Sequence, residues 1–265
     1  MKLDVEGHRG ARGHAPENTL VGFRKGIELG VSTLELDVGI TSDGVVVVHH
    51  DRRLNPDVAR GPDGQWLRPP TPAIHALGFA ELRSYDVGRI RPGSEYATRF
   101  PHQQPADGAR IPSLSEVFAL SASIRFNIEM KLDPRHPDET LPPEPFARAV
   151  VAEVRKAGAA ERSQLQSFDW RAVKAVEREA PGLATAYLTD AAHSLVDDLR
   201  EAKAKVWSPD YRALTKDALD EAHRAGMRVV VWTVNEPRDI ARLIGWGVDG
   251  IISDYPDRVL AEARR

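Results

Sequence analysis

Two hydrophobic periods take turns along this chain. Short runs rich in β-branched and apolar residues, at positions 3–8, 31–38, 45–50, 125–131, 163–168, 183–188, 205–208, 228–234 and 250–253, have the length and composition of buried strands. Between most of them the apolar positions recur at helical spacing, over 18–29, 145–157, 170–179, 194–202, 216–225, 237–245 and 256–264. Gly30, Gly158, Gly226 and Gly247 follow apolar-periodic runs, where the C-terminal glycine of a helix belongs. The tripeptide Ser42-Asp43-Gly44 turns the second strand region back on itself as a hairpin-like extension. With 31–50 taken as one region, the 265 residues hold eight βα units, the count of an α/β (β/α)8 (TIM) barrel. A doubly wound open sheet shows the same alternation, and it is the placement of the polar residues that favours the closed form.

One stretch breaks the rhythm. Residues 52–112 hold nine of the nineteen prolines, with Trp66, Phe79, Tyr85, Tyr96 and Phe100 among them, and only 79–85 looks helical. That is too aromatic for a disordered linker and too proline-rich for a barrel unit, so it predicts an ordered insertion folded over one end. Its position directly after His50 predicts a wall or lid over a site; a decorative excursion or a contact between copies is the alternative. Residues 1–265 then form a single barrel domain with an insertion at about 52–112.

Bulk composition excludes several classes. With no cysteine the chain has neither disulfides nor thiolate metal ligands, so any metal must be held by oxygen and imidazole. A net charge of −3 gives no footprint for nucleic acid. No apolar run approaches the ~20 residues of a membrane span, and residues 1–6 contain no stretch of signal-peptide length. A cytoplasmic enzyme acting on a small molecule is the expectation, with oligomeric state left open.

The chemistry concentrates in three places. His8-Arg9-Gly10-Ala11-Arg12-Gly13-His14-Ala15-Pro16-Glu17-Asn18-Thr19 crowds two imidazoles, two guanidinium groups and a carboxylate into twelve residues directly after the first strand. Imidazole moves protons near neutral pH, and guanidinium grips phosphate through a planar fork of donors. Glu35 and Asp37 lie two apart on a strand and share a face, as do Asn127, Glu129 and Lys131. In a barrel that face is the interior, where charges are costly unless paired or metal-bound, and at the C-terminal strand ends it lines the catalytic mouth. Glu35, Asp37 and Glu129 form a hard-oxygen set suited to Mg²⁺ or Ca²⁺. His49 and His50 are adjacent, so on a strand one faces out and the other in; His50, before Asp51, is the choice for the site. His8 ends the first strand, His14 borders the site, and His75, His102, His136, His193 and His223 are expected in solvent.

His8-Arg9-Gly10 followed by Pro16-Glu17-Asn18-Thr19, then Glu35-Leu36-Asp37-Val38, then His50-Asp51, resembles in order the N-terminal signature of the glycerophosphodiester phosphodiesterase family. Asn127-Ile128-Glu129-Met130-Lys131, Ser167-Phe168-Asp169, Trp232-Thr233-Val234-Asn235 and the closing Asp249-Gly250-Ile251-Ile252-Ser253-Asp254 resemble its later strand ends, so the likeness spans nearly the whole chain. The doubled His49-His50 and the longer 11–15 spacer are variations on that pattern.

The resemblance implies metal-dependent cleavage of a glycerophosphodiester into glycerol 3-phosphate and an alcohol. Glu35, Asp37 and Glu129 would ligate the cation, Arg9 and Lys131 would add positive charge around the phosphate, and Trp232 would pack against the glycerol or serve only as core. His8 and His50 would be the acid–base pair, with the substrate's own glycerol hydroxyl as nucleophile and a cyclic phosphate then opened by water. Barrel phospholipases of the phosphoinositide-cleaving type and sphingomyelinase-D-like enzymes also pair histidines with acids, but the complete 16–19 motif favours the first family. A lysophospholipase D activity, with the insertion's aromatics accommodating an acyl chain, and a non-catalytic phosphate-binding barrel are the alternatives. The latter would be expected to have lost a histidine or carboxylate, and this chain keeps them all.

Overall fold

The computed structural model describes residues 3–190 and 195–265. Among these, nine strands form: β1 (Asp4–Gly7), β2 (Thr33–Ile40), β3 (Val46–Val48), β4 (Arg125–Met130), β5 (Ser163–Ser167), β6 (Ala184–Thr189), β7 (Val206–Pro209), β8 (Arg228–Val231) and β9 (Gly250–Ser253). Eight run parallel in the order β1-β2-β4-β5-β6-β7-β8-β9, and β9 returns to β1 through the register Asp4↔Gly250 to Gly7↔Ser253. That last pairing closes a (β/α)8 barrel and excludes the open sheet. β3 is antiparallel to β2, matching Val38↔Val48 across the 42–44 turn, so the hairpin-like extension is present.

Helices follow the strands at nearly the positions the periodicity predicts. The helix Leu20–Leu29 starts where Thr19 accepts a hydrogen bond from the Gly22 amide, and stops at Gly30, which is left-handed at φ 91°. Trp170–Glu179 starts at an Asp169 cap, and Pro237–Trp246 ends at a left-handed Gly247. The helix Leu114–Phe118 escapes sequence prediction: five residues are too few to show a period, although Ser113 and Glu116 form a full capping box. His193 and the first residue of the helix predicted over 194–202 lie outside the described residues. No helix among the described residues is long and apolar enough to cross a membrane.

Strand alternation sorts side chains into two shells. Outward, Leu34, Leu36, Val38, Phe126, Ile128, Met130 and Leu165 pack against the helices of the first half, and Tyr187, Trp207, Val229, Val231 and Ile251 against those of the second. A fully buried Phe146 or Leu36 contributes about 1.5–3 kcal/mol by leaving water. Inward, the barrel is two-faced. Ala186, Val206, Val230 and Ile252 give an apolar half under Trp232. The strands β1, β2, β4 and β5 instead supply a hydrogen-bonded column, with Asn127 donating to Glu6 (2.8 Å) and Gln166 (3.2 Å), and Gln166 donating to Glu35 (3.4 Å).

Glu6 sits at the bottom of this column. Burial, reinforced by Asp4, pushes its carboxyl up to about 8 against the opposing Asn127 hydrogen bond and the more distant Arg125 and Arg228. A carboxyl raised in the folded state keeps its proton while the unfolded chain loses it, so its contribution to stability is whole below about pH 4.5 and is lost as pH rises to 8. Glu6→Gln should therefore melt with wild type at pH 5 and above it at pH 9, by a gap on the order of 5 kcal/mol if the whole shift is expressed. Thermal melts of the two proteins across that range test it; parallel curves would mean Glu6 ionises normally.

The insertion builds its own small core. Leu54, Ala59, Ile74, Leu77, Leu82, Val87 and Ile111 close on Val47 of β3, with Phe79 and Tyr85 at the edge. Trp66 lies beneath the Arg60 guanidinium, and Tyr96 packs edge-on against Phe100. Helical structure is limited to short pieces, among them Phe79–Leu82 and Glu95–Arg99.

Candidate active site

The loop after β1 carries the first motif across the C-terminal mouth, and close backbone approach holds it there. Gly10 adopts φ +94°, and a Cβ at that position would lie 2.6 Å from the Gly22 carbonyl carbon of the first helix. Arg9 and Asn18, neither of them glycine, are also left-handed at φ 52°. This contorted turn aims the Arg9 amide at Glu35 Oε2 (3.0 Å) and the Asn18 amide group at Asp37 Oδ2 (2.9 Å).

Glu35 and Asp37 of β2 and Glu129 of β4 converge, each offering an oxygen within 4.8 Å of the others. All three are buried. Burial and the charges of Asp37 and Glu129 hold Glu35 well above the usual carboxylate range, and burial with Asp37 also raises Glu129 despite Lys131. For Asp37 burial acts upward too, but Arg9, with His50 and Lys131, overrides it and holds the acid far down. Arg9 Nε lies 3.2 Å from Asp37 Oδ2, and Lys131 Nζ lies 2.7 Å from Glu129 and 3.7 Å from Asp37. Asp37 Oδ1 is buried and accepts no hydrogen bond among the described residues. Three crowded oxygen donors, one of them orphaned, fit a hard divalent cation.

Both candidate histidines are oriented by carboxylates. His8 Nδ1 meets Asp254 Oδ1 at 2.6 Å, leaving Nε2 facing the acid cluster, 3.8 Å from Glu35. Asp254 stays ionised because Arg12, which donates to it at 2.8 and 3.2 Å, overcomes its burial. Burial and Arg12 bring His8 down to about 4 even though Asp254 pulls the other way. His50 Nδ1 meets Asp51 Oδ1 at 2.7 Å, and Asn55 donates to the other Asp51 oxygen. Each ionised carboxylate fixes a proton on Nδ1, so each ring presents Nε2 as its working nitrogen.

A cavity of about 780 Å³ opens at Glu129, with His50, Lys131, Phe168 and Trp170 also in its wall. Of the adjacent histidines His50, the one expected at the site, reaches the cavity, and His49 is buried. The insertion supplies little of the wall. Arg52 and Arg53 line the cavity and pair with Asp133 and Glu139 of the loop after β4, while the five aromatics face elsewhere. Arg9 stands behind Asp37, paired also with Glu17 (2.7 Å), whereas Lys131 is on the wall. Trp232 donates to the Ser208 carbonyl and meets Phe168 edge-on at 5.4 Å. Of the histidines expected in solvent, His75 bonds the Ile40 carbonyl and His223 meets Asp249; His14 meets Asp257.

A model of the glycerophosphoryl diester phosphodiesterase family matches residues 8–258. The chain belongs to this family. It is 30% identical over 270 residues to a glycerophosphodiester phosphodiesterase of Caldanaerobacter subterraneus subsp. tengcongensis, spanning 100% of this chain and 99% of that relative. Among solved structures, a candidate glycerophosphoryl diester phosphodiesterase of Silicibacter pomeroyi is 36% identical with a TM-score of 0.94, over 99% of this chain and 93% of the other. A phosphodiesterase of Oleispira antarctica, crystallised with sn-glycerol-3-phosphate, shares the fold at 22% identity and a TM-score of 0.80, over 98% and 96%.

Within this member of the glycerophosphoryl diester phosphodiesterase family, several polar groups around the site carried no role in the sequence reading. Asp254 is the acid directly after β9, and barrel closure makes β9 the neighbour of β1 and hence of His8. Glu17 and Asn18 sit inside a motif whose other residues drew attention, and Gln166 looks like a neutral strand residue until β5 is placed beside β4. For Asp254 and Gln166 the only signal was an acid or amide at the C-terminal end of a strand or just beyond it; for Glu17 and Asn18 it was their place in the loop that follows β1.

Proposed function

We propose that this chain hydrolyses glycerophosphodiesters to glycerol 3-phosphate and an alcohol at the mouth of the barrel, using a divalent cation and two histidines. The observation that carries the reading is the convergence of the Glu35, Asp37 and Glu129 carboxylates between two imidazoles whose Nδ1 atoms are both tied to carboxylates. Glu35, Asp37 and Glu129 would hold Mg²⁺ or Ca²⁺, which when bound polarises the phosphoryl oxygens and offsets developing negative charge. Lys131, on the cavity wall, binds the phosphate, and Arg9 from behind keeps Asp37 ionised. One histidine Nε2 takes the proton of the glycerol 2-hydroxyl as that oxygen attacks phosphorus. The other, protonated on both nitrogens, gives its Nε2 proton to the departing alkoxide. The two then exchange roles as water opens the cyclic phosphate. Trp232 and Phe168 form the apolar rim against which glycerol carbons pack.

The lysophospholipase D alternative leaned on the insertion's aromatics, and those side chains pack away from the cavity. A screen of glycerophosphocholine, glycerophosphoethanolamine and lysophosphatidylcholine, each with Mg²⁺, Ca²⁺ or chelator, tests the reading. Glycerol 3-phosphate should appear from the first two substrates with cation and not with chelator. Full turnover in exhaustively chelated protein, or turnover of the lysolipid alone, would overturn it.

A further inference from the structure

The insertion reaches the active site from behind rather than from above. Its segment 94–104 straps the loop that follows β1. Gln103 donates to the Arg12 carbonyl (2.8 Å), the Gln104 amide donates to the His14 carbonyl (2.9 Å), and the Arg12 guanidinium stacks on the Phe100 ring at 4.6 Å. The short helix Glu95–Arg99, capped by Ser94, presents Tyr96 to that loop.

Tyr96 stands at the one neutral link in a chain of charged groups. From the acid cluster, Asp37 meets Arg9 (3.2 Å), and Arg9 donates to Glu17 (2.7 Å). From the other end, His8 meets Asp254 (2.6 Å), and Arg12 grips Asp254 through two of its nitrogens. The Tyr96 hydroxyl joins the two arms, donating to Glu17 and accepting from Arg12 Nη1 (3.0 Å). A group placed between a carboxylate and a guanidinium must both donate and accept, which a hydroxyl does and a hydrocarbon ring does not. The Arg9, Glu17, Arg12 and Asp254 side chains are each no more than 12% exposed, so water is a poor substitute partner.

We propose that Tyr96 is a positioning residue: its hydroxyl locks the arm that holds Asp37 to the arm that orients His8, so that the acid cluster and the imidazole keep one fixed geometry. This rests on the functional reading above only in taking His8 and Asp37 as parts of one reaction centre. Packing alone does not account for the hydroxyl, because the ring's contact with Phe100 would be kept by phenylalanine.

The test is Tyr96→Phe beside Tyr85→Phe, which deletes the same atom from the same insertion at its core edge, far from the frame. Three quantities are read: kcat and KM on a glycerophosphodiester, the melting temperature, and the low-field NMR proton between His8 Nδ1 and Asp254, assigned by its loss in His8→Gln. Tyr96→Phe should lower kcat about 10- to 100-fold with KM within about twofold, the scale of a misaligned catalytic group, and should shift or broaden the His8 proton. Its melting temperature should fall below that of Tyr85→Phe, because buried Glu17 and Arg12 lose a partner, whereas Tyr85→Phe leaves kcat and the resonance unchanged. Arg12→Lys cuts the next link, and the double variant should be no slower than the worse single one within about threefold, as members of one unit are not additive. Wild-type kcat with an unmoved His8 proton in Tyr96→Phe, or additive losses in the cycle, would overturn the proposal. If the wild type hydrolyses no glycerophosphodiester the functional reading fails instead, and the His8 resonance still decides whether Tyr96 holds the frame. Should Tyr96→Phe not fold, the same resonance in Arg12→Lys decides: unmoved, it overturns the frame.

Discussion

Glu35→Gln and Asp37→Asn should each leave a folded protein whose hydrolytic activity is lowered by about 10³-fold or more, the scale of losing several kcal/mol of transition-state charge stabilisation. Each change turns one of three carboxylates whose oxygens lie within 4.8 Å of one another into a neutral amide, and the two remaining charges no longer make a tight site for a hard cation. The two variants should part company in stability. Glu35 is held above its ordinary range by burial and by its acidic neighbours, so a neutral amide relieves repulsion and metal-free Glu35→Gln should melt at or above wild type. Asp37 is one of two counter-charges of buried Arg9, so Asp37→Asn leaves the guanidinium with Glu17 alone and should melt lower. Titration calorimetry with Mg²⁺ and Ca²⁺, and melts with and without cation, separate these effects. Added cation should raise the wild-type melting temperature and leave both variants where they were. A wild-type cation response in either variant would remove that residue from the ligand set.

What was legible in the chain followed from period and composition. Eight βα units announced the barrel because each strand ran four to eight residues between clear helix stops, and Gly30 and Gly247 do cap their helices left-handed. Glu35, Asp37, Glu129 and Lys131 were legible as a cluster because the spacing of two on a strand forces them onto one face. Closure was not written in any single element; it depends on β9 pairing with β1 across 246 positions, and with it comes Asp254, the partner of His8. The helix Leu114–Phe118 hid because its stability comes from caps and burial of Leu114 and Val117, not from a long amphipathic run.

The insertion misled for a physical reason. Aromatic side chains after a candidate site histidine suggest a lid, but a segment of some sixty residues with nine prolines has few regular hydrogen bonds and needs its own core. Phe79 and Tyr85 go into that core, Trp66 under Arg60, and Tyr96 with Phe100 against Arg12. The charged pair Arg52-Arg53 reaches the cavity instead, because long flexible side chains can span from the insertion to Asp133 and Glu139.

The histidines carry the other large expected effect. His8→Ala and His50→Ala should each lower kcat by at least about 10²-fold, the usual scale for losing a general acid or base, with cation binding retained. Both rings present Nε2 because a carboxylate holds Nδ1, so Asp254→Asn and Asp51→Asn should follow the same direction by releasing the tautomer. Of these two, Asp254→Asn should do more damage, since Asp254 is buried and also answers Arg12, whereas Asp51 is partly in solvent. His49 offers the internal control. Its backbone amide donates to the Asp37 carbonyl and its ring is buried with Nε2 unpaired among the described residues, so His49→Ala opens a cavity without removing a proton carrier. It should therefore be read in the melting temperature, with kcat within about tenfold of wild type at a temperature where both are folded. A His49→Ala protein with an unchanged melt and a kcat as low as that of His50→Ala would mean that the buried ring takes part in the reaction and that His50 is not the pair's sole contribution.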